Sequence, residues 1–400
     1  MAARLRSPLA VIFLTVFLDL LGFGMVIPIL PLYARDLHAT DSQIGNLMAI
    51  YSVMQLIFAP IWGRLSDRAG RRPVLLISIL GSCGSQFGYA LAPSFTWLLI
   101  ARGFAGACGA NITAAQAYIA DVTDEKSRAA GMGILGTAFG LGFVFGPAVG
   151  GILSKTSPNL PFFVSGFLAV LNFVLAVFVL KEPRAAGQRS QARTLTWAGL
   201  LRTVSNPRLL SLMLLFFIVT FGFANLEATF SLYLDGRFGY RPEKAGYLFA
   251  YIGVLMVLVQ GGLVRRMVPR VGERKLILFG TLTMAIGFLL QAYSFHLPLL
   301  LVAMGIIAIG NGFNTPSLSS LISRSAGGEH QGGVLGVSQA FGALARIVGP
   351  KVGVSLLIFG VGMPYFVGAG ILAAAFLFAL TAVKQPMAAA PAVVTSEPIA

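Results

Sequence analysis

The sequence predicts an all-α membrane protein with twelve transmembrane helices in two six-helix halves, and three observations lead to this fold class. Hydrophobic residues make up 56% of the 400 residues, charged residues only 11%, and the mean hydropathy is +0.83. Apolar runs of about 20 residues, long enough to cross a hydrocarbon core of roughly 30 Å as helices, recur along nearly the whole chain. Sequence features also repeat about 200 residues apart, which indicates two related halves.

The apolar runs are continuous stretches of Leu, Val, Ile, Phe, Ala and Gly, whereas the strands of a membrane β-barrel would alternate in polarity. Asp19 at the centre of the first run, and the length of that run, distinguish it from a cleaved secretion signal. The predicted spans are 8–34, 42–62, 74–92, 95–120, 129–153, 160–180, 208–234, 244–264, 275–294, 297–322, 332–358 and 363–383.

A polar, basic segment divides six spans from six. Gly146-Pro147 in the fifth span recurs as Gly349-Pro350 in the eleventh, as expected of a parallel repeat. That plan is typical of secondary transporters, and no phosphate-binding G-x-x-x-x-G-K-[ST] motif is present to suggest an ATP-driven pump. The predicted units are an N-terminal bundle (1–180), a cytoplasmic linker with a surface helix around Trp197 (181–207), a C-terminal bundle (208–383) and a disordered tail (384–400).

The net charge of +15 is distributed unevenly across the predicted membrane. Of 29 Lys and Arg residues, 21 fall at the N-terminus and in the even-numbered loops, and 5 fall in the opposite loops. This positive-inside bias places both termini in the cytoplasm, as for a multi-pass protein of the inner (plasma) membrane, and does not imply nucleic acid. Cys83 and Cys108 both lie within spans and indicate neither a disulfide nor a metal site.

The densest group of charges lies between the second and third spans, from Gly63 to Pro73. Asp67 is the one acid in this segment, among four arginines, so it can pair locally in one conformation and release its partner in another. The pattern returns at 265–275, with Gly272 at the position of Gly70 and Pro269 at the position of Asp67. The first copy therefore predicts a cytoplasmic gate, with a static topology anchor as the alternative.

Two charges fall inside the membrane at similar depth. Asp19 lies on the order of 16 Å, and Arg102 near 20 Å, from the cytoplasmic edge at about 1.5 Å per residue. Each would cost roughly 2.5–3.5 kcal/mol at the bilayer centre, so both should face a wet cavity or each other. Desolvation and a nearby arginine change a carboxylate's proton affinity in opposite directions, which predicts proton coupling. A static pair tying spans one and four together is the alternative.

Other polar groups at membrane depth are candidates for a substrate cavity or for bonds between helices, worth near 0.6 kcal/mol each. Glu227 in span seven and Arg346 in span eleven either pair or form a second titrating and substrate-binding set. The candidates for substrate contact are Gln55, Asn111, Gln116, Asn314 and Arg346.

With its twelve spans, central linker and G-x-L-x-D-R-x-G-R-R-P motif, the chain resembles the major facilitator superfamily. Further motifs resemble the drug:proton antiporter branch, in particular the tetracycline exporters. They are Asp19, Gly22, Pro28 and Pro31 in span one; Leu98, Arg102 and Gly106 in span four; Ala117–Asp121 at its end; and Gly142, Gly146, Pro147, Gly150 and Gly151 in span five.

This resemblance implies an exporter of small amphipathic or drug-like molecules that works by alternating access, with protons as coupling ion and no other cofactor or metal. It implies that Asp67 and Arg71 latch the cytoplasmic side with Asp121 and that the fifth-span motif prevents leak; packing alone is the alternative for that motif. From their charge and depth, we expect Asp19, Arg102 and Glu227 to couple protons. The expected gate set is Gly63, Asp67, Arg68, Gly70, Arg71, Arg72, Asp121 and Arg128.

Three polar markers of the tetracycline exporters are replaced, by Ser85, Met256 and Met284, so we expect a different and more apolar substrate. Alternatives are an exporter of a sugar, metabolite or lipid, and a non-transporting receptor or scaffold. We expect a non-enzymatic protein that works as a monomer in the lipid bilayer on a small-molecule substrate.

Overall fold

The computed structural model describes residues 8–109, 111–123, 128–182, 203, 205–326 and 331–383, and every regular element in these ranges is helical. The helix predicted around Trp197 and the tail from 384 lie outside the described residues. The N-terminal half contains α1 Pro8–Val26, α2 Leu30–Asp36, α3 Asp41–Ala69, α4 Arg71–Ala90, α5 Phe95–Cys108, α6 Asn111–Val122, α7 Arg128–Ser154 and α8 Leu160–Val179.

The C-terminal half begins with the longest helix of the described chain. Its elements are α9 Pro207–Phe238, α10 Pro242–Leu258, a π-helical turn Val259–Leu263, α11 Val264–Val271, α12 Glu273–Ala292, α13 Leu297–Ser325, α14 Gln331–Leu356, a 3₁₀ turn Leu357–Phe359 and α15 Met363–Ala382. Eleven segments of the described chain are long and apolar enough to cross a membrane, and α5 with α6 forms the remaining predicted span. The predicted fold class is confirmed.

The first predicted span is not one helix. The chain leaves α1 at Val26 and re-enters a helix at Leu30, with a turn between them that contains Pro28. Proline has no N–H to donate, and Pro31 starts the new helix, a position where that group is not needed. The Ser231 hydroxyl of α9 donates to the Pro28 carbonyl at 2.7 Å, so the break lies where the two halves meet.

Helix α7 carries the predicted fifth-span motif and packs against two neighbours at backbone distance. A Cβ atom on Gly146 would lie 2.7 Å from Gly24 Cα of α1, and one on Gly151 would lie 2.9 Å from the Glu243 carbonyl of α10. Gly142 and Gly150 also face α1 at this range. The motif therefore lets α7 pack closely both within its own half and across to the other.

The two halves are joined by ion pairs at one end of the bundle, which we call the outer end because the charge bias predicts that it faces outward. Arg35 binds Asp235 of the other half at 3.4 Å and Asp41 at 3.2 Å. Lys155 binds Glu243 at 2.7 Å, and this carboxylate raises the pKa of Lys155, so the pair persists at neutral pH. At the opposite, inner end, the ion pairs among described residues stay within one half. The described structure is thus closed at its outer end.

Candidate functional site

Asp19 of α1 and Arg102 of α5 lie in one pocket inside the N-terminal half. Arg102 is 3% exposed, and its guanidinium lies 4.6 Å from the ring centre of Tyr51 and 5.6 Å from that of Phe23. Both rings can stabilise the cation through their π faces. Asp19 is half-buried beside them. The structure therefore brings together the two intramembrane charges that the sequence places at similar depth.

Glu227 of α9 and Arg346 of α14 face this group from the C-terminal half. Both are half-buried, and Glu227 lies in electrostatic range of Arg346 and also of Arg102 across the interface between the halves. Arg346 in turn interacts electrostatically with Tyr51 of the N-terminal half. We call Asp19, Arg102, Glu227 and Arg346 the central charge cluster. No salt bridge joins Glu227 to Arg346 among the residues described, so their interaction is a longer-range one.

The remaining cavity candidates have other surroundings. Gln55 donates its side-chain amide to the Gly109 carbonyl at 3.2 Å, linking α3 to the break between α5 and α6. Asn314 is fully buried inside the C-terminal bundle, where its amide nitrogen lies 3.5 Å from Met284 Sδ, so it does not line the central cavity as predicted. Gln116 is exposed on α6 and is absent from the pocket lining. The Asn111 side chain lies outside the described residues.

The gate candidates assemble around Arg71 at the start of α4. Its guanidinium contacts Asp67 at 2.7 Å, Asp121 of α6 at 3.0 Å and the Ser66 hydroxyl at 3.0 Å. Arg71 and Asp121 are both buried, with side chains 7% and 9% exposed. Arg68 is exposed, Gly63 faces open space, and the Arg128 side chain lies outside the described residues. The three residues predicted to form the latch thus meet directly.

Sequence reasoning missed Glu182, which follows α8. Its carboxylate accepts from the backbone N–H groups of Arg71 and Arg72, both at 2.9 Å, and so covers the positive N-terminus of α4. Arg72 also donates to the Val177 carbonyl at 2.7 Å. Gly70, which precedes Arg71, adopts φ +104°, and a Cβ atom on it would lie 2.6 Å from Glu182 Oε2. A lone acid between Lys181 and Arg184 was the available signal, but nothing local links it to a motif 110 residues away.

The second copy of the motif has its own ion pair. Gly272 has φ +82°, like Gly70, and the next residue, Glu273, begins α12. Glu273 accepts from Arg324 of α13 at 2.9 Å and from the Ser320 hydroxyl at 3.1 Å. Comparing the two copies of the motif in the sequence showed that Pro269 replaces the acid. It did not reveal the pair of Glu273 and Arg324, because these residues are 51 positions apart.

Comparison with known proteins gives consistent results over almost the entire chain. The model of the Major Facilitator Superfamily matches residues 12–271 and 263–398. The chain is 34% identical over 357 residues to the class C tetracycline resistance protein of Escherichia coli, across 87% of this chain and 89% of that protein. It is 30% identical over 356 residues to multidrug resistance protein 2 of Bacillus subtilis, across 88% of both chains.

Solved structures show the same architecture. The crystal structure of the human organic anion transporter MFSD10 is similar with a TM-score of 0.70 and 26% identity, covering 93% of this chain and 98% of that one. The nucleoside transporter NupG gives a TM-score of 0.80 at 12% identity, covering 95% of this chain and 100% of that one, and therefore shares the fold.

Proposed function

Because the chain belongs to the major facilitator superfamily and is a multi-pass membrane transporter rather than an enzyme, we propose that it is a proton-coupled exporter of small amphipathic, drug-like molecules. The observation that carries this proposal is the central charge cluster, in which Asp19 shares a pocket with the buried Arg102, and Arg102 interacts in turn with Glu227 of the other half. Similarity to tetracycline and multidrug resistance proteins supports the direction and class of transport.

Asp19 is the proposed proton carrier. A charged carboxylate at the bilayer centre costs roughly 2.5–3.5 kcal/mol, and a proton removes that charge. Arg102 beside it favours the ionised form, and an amphipathic substrate that enters the cavity changes the balance by displacing water or contacting the arginine. Proton binding and substrate binding thereby become alternatives at one site, as antiport requires.

The halves expose this site to one side at a time. The outer pairs, Arg35 with Asp235 and Lys155 with Glu243, join the halves in the described structure and have to separate when the outer end opens. Arg71 with Asp67 and Asp121 is the proposed latch of the inner end. Phe23, Tyr51 and Phe143 form an aromatic wall near the cluster, which fits an apolar substrate body.

The test is Asp19→Asn in proteoliposomes that contain a pH-sensitive dye, assayed with a panel of tetracyclines, cationic dyes, quinolones and sugars. We expect the variant to lose proton release driven by any compound that the parent exchanges. Asp36→Asn is the matched control because Asp36 is exposed at the outer end, away from the cluster. Unaltered exchange in Asp19→Asn would refute the coupling role.

The same panel separates the alternatives. Exchange of sugars alone favours a metabolite exporter, and partner binding without flux of any compound favours a receptor.

The proposal further includes both termini on the cytoplasmic side of the inner membrane and a monomeric working form. Protease access to tags at each terminus, in right-side-out and inverted vesicles, tests the orientation; mass determination in detergent tests the monomer.

A further inference from the structure

Two residues of α4, Gln86 and Tyr89, line the same pocket as Asp19 and have no part in the function proposed above. We propose that this pocket, bounded by α1, α3, α4 and α5, is a water-binding site whose water molecules connect Arg102 to Asp19 and exchange protons with the Asp19 carboxyl group. The inference rests on the proposed function, since it names the immediate proton donor and acceptor of Asp19.

Three polar atoms in this pocket are buried and make no hydrogen bond to the protein. They are Arg102 Nε, Tyr89 Oη and Gln86 Oε1. Tyr89 is 1% exposed and Arg102 3%. The two side chains approach each other, but neither Tyr89 Oη nor Arg102 Nε makes a hydrogen bond of normal distance and angle. A buried polar group without a partner costs about 1–3 kcal/mol, so three in one pocket indicate a missing common partner.

The hydrogen-bonding groups of these three atoms are complementary to those of water. Arg102 Nε–H donates, Gln86 Oε1 accepts, and the Tyr89 hydroxyl does either. A water molecule has two donors and two acceptor lone pairs and can satisfy all three atoms while also bonding to Asp19. Ser82 and Ser85 add hydroxyls to the wall; Ser85 already donates to the Gly81 carbonyl at 2.7 Å, so its remaining capacity is to accept.

The size of the pocket also fits water. The pocket leaves about 30 Å³ for the centres of water molecules, whereas one buried water needs roughly 10–15 Å³. In this outward-closed structure the space suits a pair of waters, which a substrate entering the cavity would have to displace. An anion is disfavoured by Asp19, which lines the same pocket. The other charged groups that act here are Arg102 from α5 and, from the opposite half, Glu227 and Arg346.

The proton step is simple. A hydronium in the pocket transfers one proton to the Asp19 carboxylate, which becomes neutral, and a water molecule remains behind; the reverse step releases the proton. Gln86 and Tyr89 act as positioning residues because they hold the water at Asp19 and do not themselves gain or lose the proton.

Hydroxyl-radical footprinting by X-ray radiolysis of the full chain in detergent tests the site with water as the probe. We expect Tyr89 to be oxidised several-fold faster than Tyr233 and Tyr365, which are equally buried but whose hydroxyls bond to protein atoms. Gln86→Leu should lower the Tyr89 rate towards theirs. Tyr89 labelling no faster than that of Tyr365 would overturn the proposal.

Infrared titration of the Asp19 carboxyl band, assigned by its loss in Asp19→Asn, supplies a second readout that needs no substrate. We expect Tyr89→Phe to move the protonated C=O band to higher wavenumber because the carboxyl loses a hydrogen-bonded water, and Tyr233→Phe to leave it in place. An unmoved band in Tyr89→Phe counts against the water site alone. Absence of any titrating Asp19 band counts against the proposed function instead.

Discussion

The two halves share a motif at their inner ends but pair its charges with opposite polarity. In the N-terminal half the motif contributes the base, Arg71, and the fourth span contributes the acid, Asp121. In the C-terminal half the motif contributes the acid, Glu273, and the tenth span contributes the base, Arg324. The connection between motif and neighbouring span has thus been kept while the charges were exchanged.

The two pairs also differ in burial. The side chains of Arg71 and Asp121 are 7% and 9% exposed, whereas those of Arg324 and Glu273 are 53% and 13% exposed. The first pair is reinforced by Asp67 and by the Glu182 carboxylate on the backbone of α4. Buried charges depend strongly on their partners, and exposed pairs contribute little. We therefore expect the N-terminal copy to act as a latch and the C-terminal copy to be an accessory contact.

The largest difference between the copies is expected on removing the basic partner. Arg71→Leu leaves Asp67 and Asp121 without their cation and should lower the free energy of unfolding by about 3–5 kcal/mol. Arg324→Leu exposes its partner to solvent and should lower it by about 0–1 kcal/mol. Denaturant unfolding of both variants in one detergent measures this. Equal losses would show that burial does not distinguish the two copies.

The glycines before the two helices provide the second comparison. Both have positive φ, so Gly70→Ala and Gly272→Ala each introduce backbone strain of about 1–3 kcal/mol. Only Gly70→Ala also pushes against Glu182, since no atom lies within 4 Å of a Cβ on Gly272. We expect the larger loss of thermal stability in Gly70→Ala. A larger loss in Gly272→Ala would contradict the packing described here.

The anion at the start of α4, Glu182, comes from outside that helix, whereas the anion at the start of α12 is the first residue of the helix, Glu273. Glu182→Gln retains hydrogen-bonding atoms but removes the charge that faces two backbone N–H groups, at an expected loss of about 1 kcal/mol. Hydrogen exchange at the first turn of α4 should accelerate, with the first turn of α12 as internal control. Unchanged exchange at α4 would mean that Glu182 does not hold this helix end.

The smallest effect is expected for the exposed pair of the second copy. A double-mutant cycle with Glu273→Gln and Arg324→Gln should give a coupling energy of about 0.2–1 kcal/mol, falling as salt is added. The same cycle on Asp121→Asn and Arg71→Gln should give a larger and less salt-sensitive value. Similar coupling energies would remove the asymmetry proposed for the two halves.

Much of the candidate site could be predicted because its residues stand out against their surroundings. Asp19, Arg102, Glu227 and Arg346 are charges in apolar runs, and the structure gathers all four at the interface between the halves. Asn314 was misplaced because an amide at membrane depth can equally bond within a bundle, and helical periodicity in a span that is apolar on all sides does not reveal which side faces the cavity.

The sequence by itself determined the class of structure: an all-helical chain of repeated membrane-length apolar segments, with a few charges inside them. Those properties follow from local hydropathy and charge, because apolar side chains are favoured in the hydrocarbon core and charged side chains are favoured outside it. Only the tertiary structure decided which partners meet: Glu182 on the start of α4, the inverted pair of Glu273 and Arg324, and Gln86 with Tyr89 beside Asp19. These contacts join residues on different helices or between 51 and 111 positions apart, and helix packing, not composition, sets such distances.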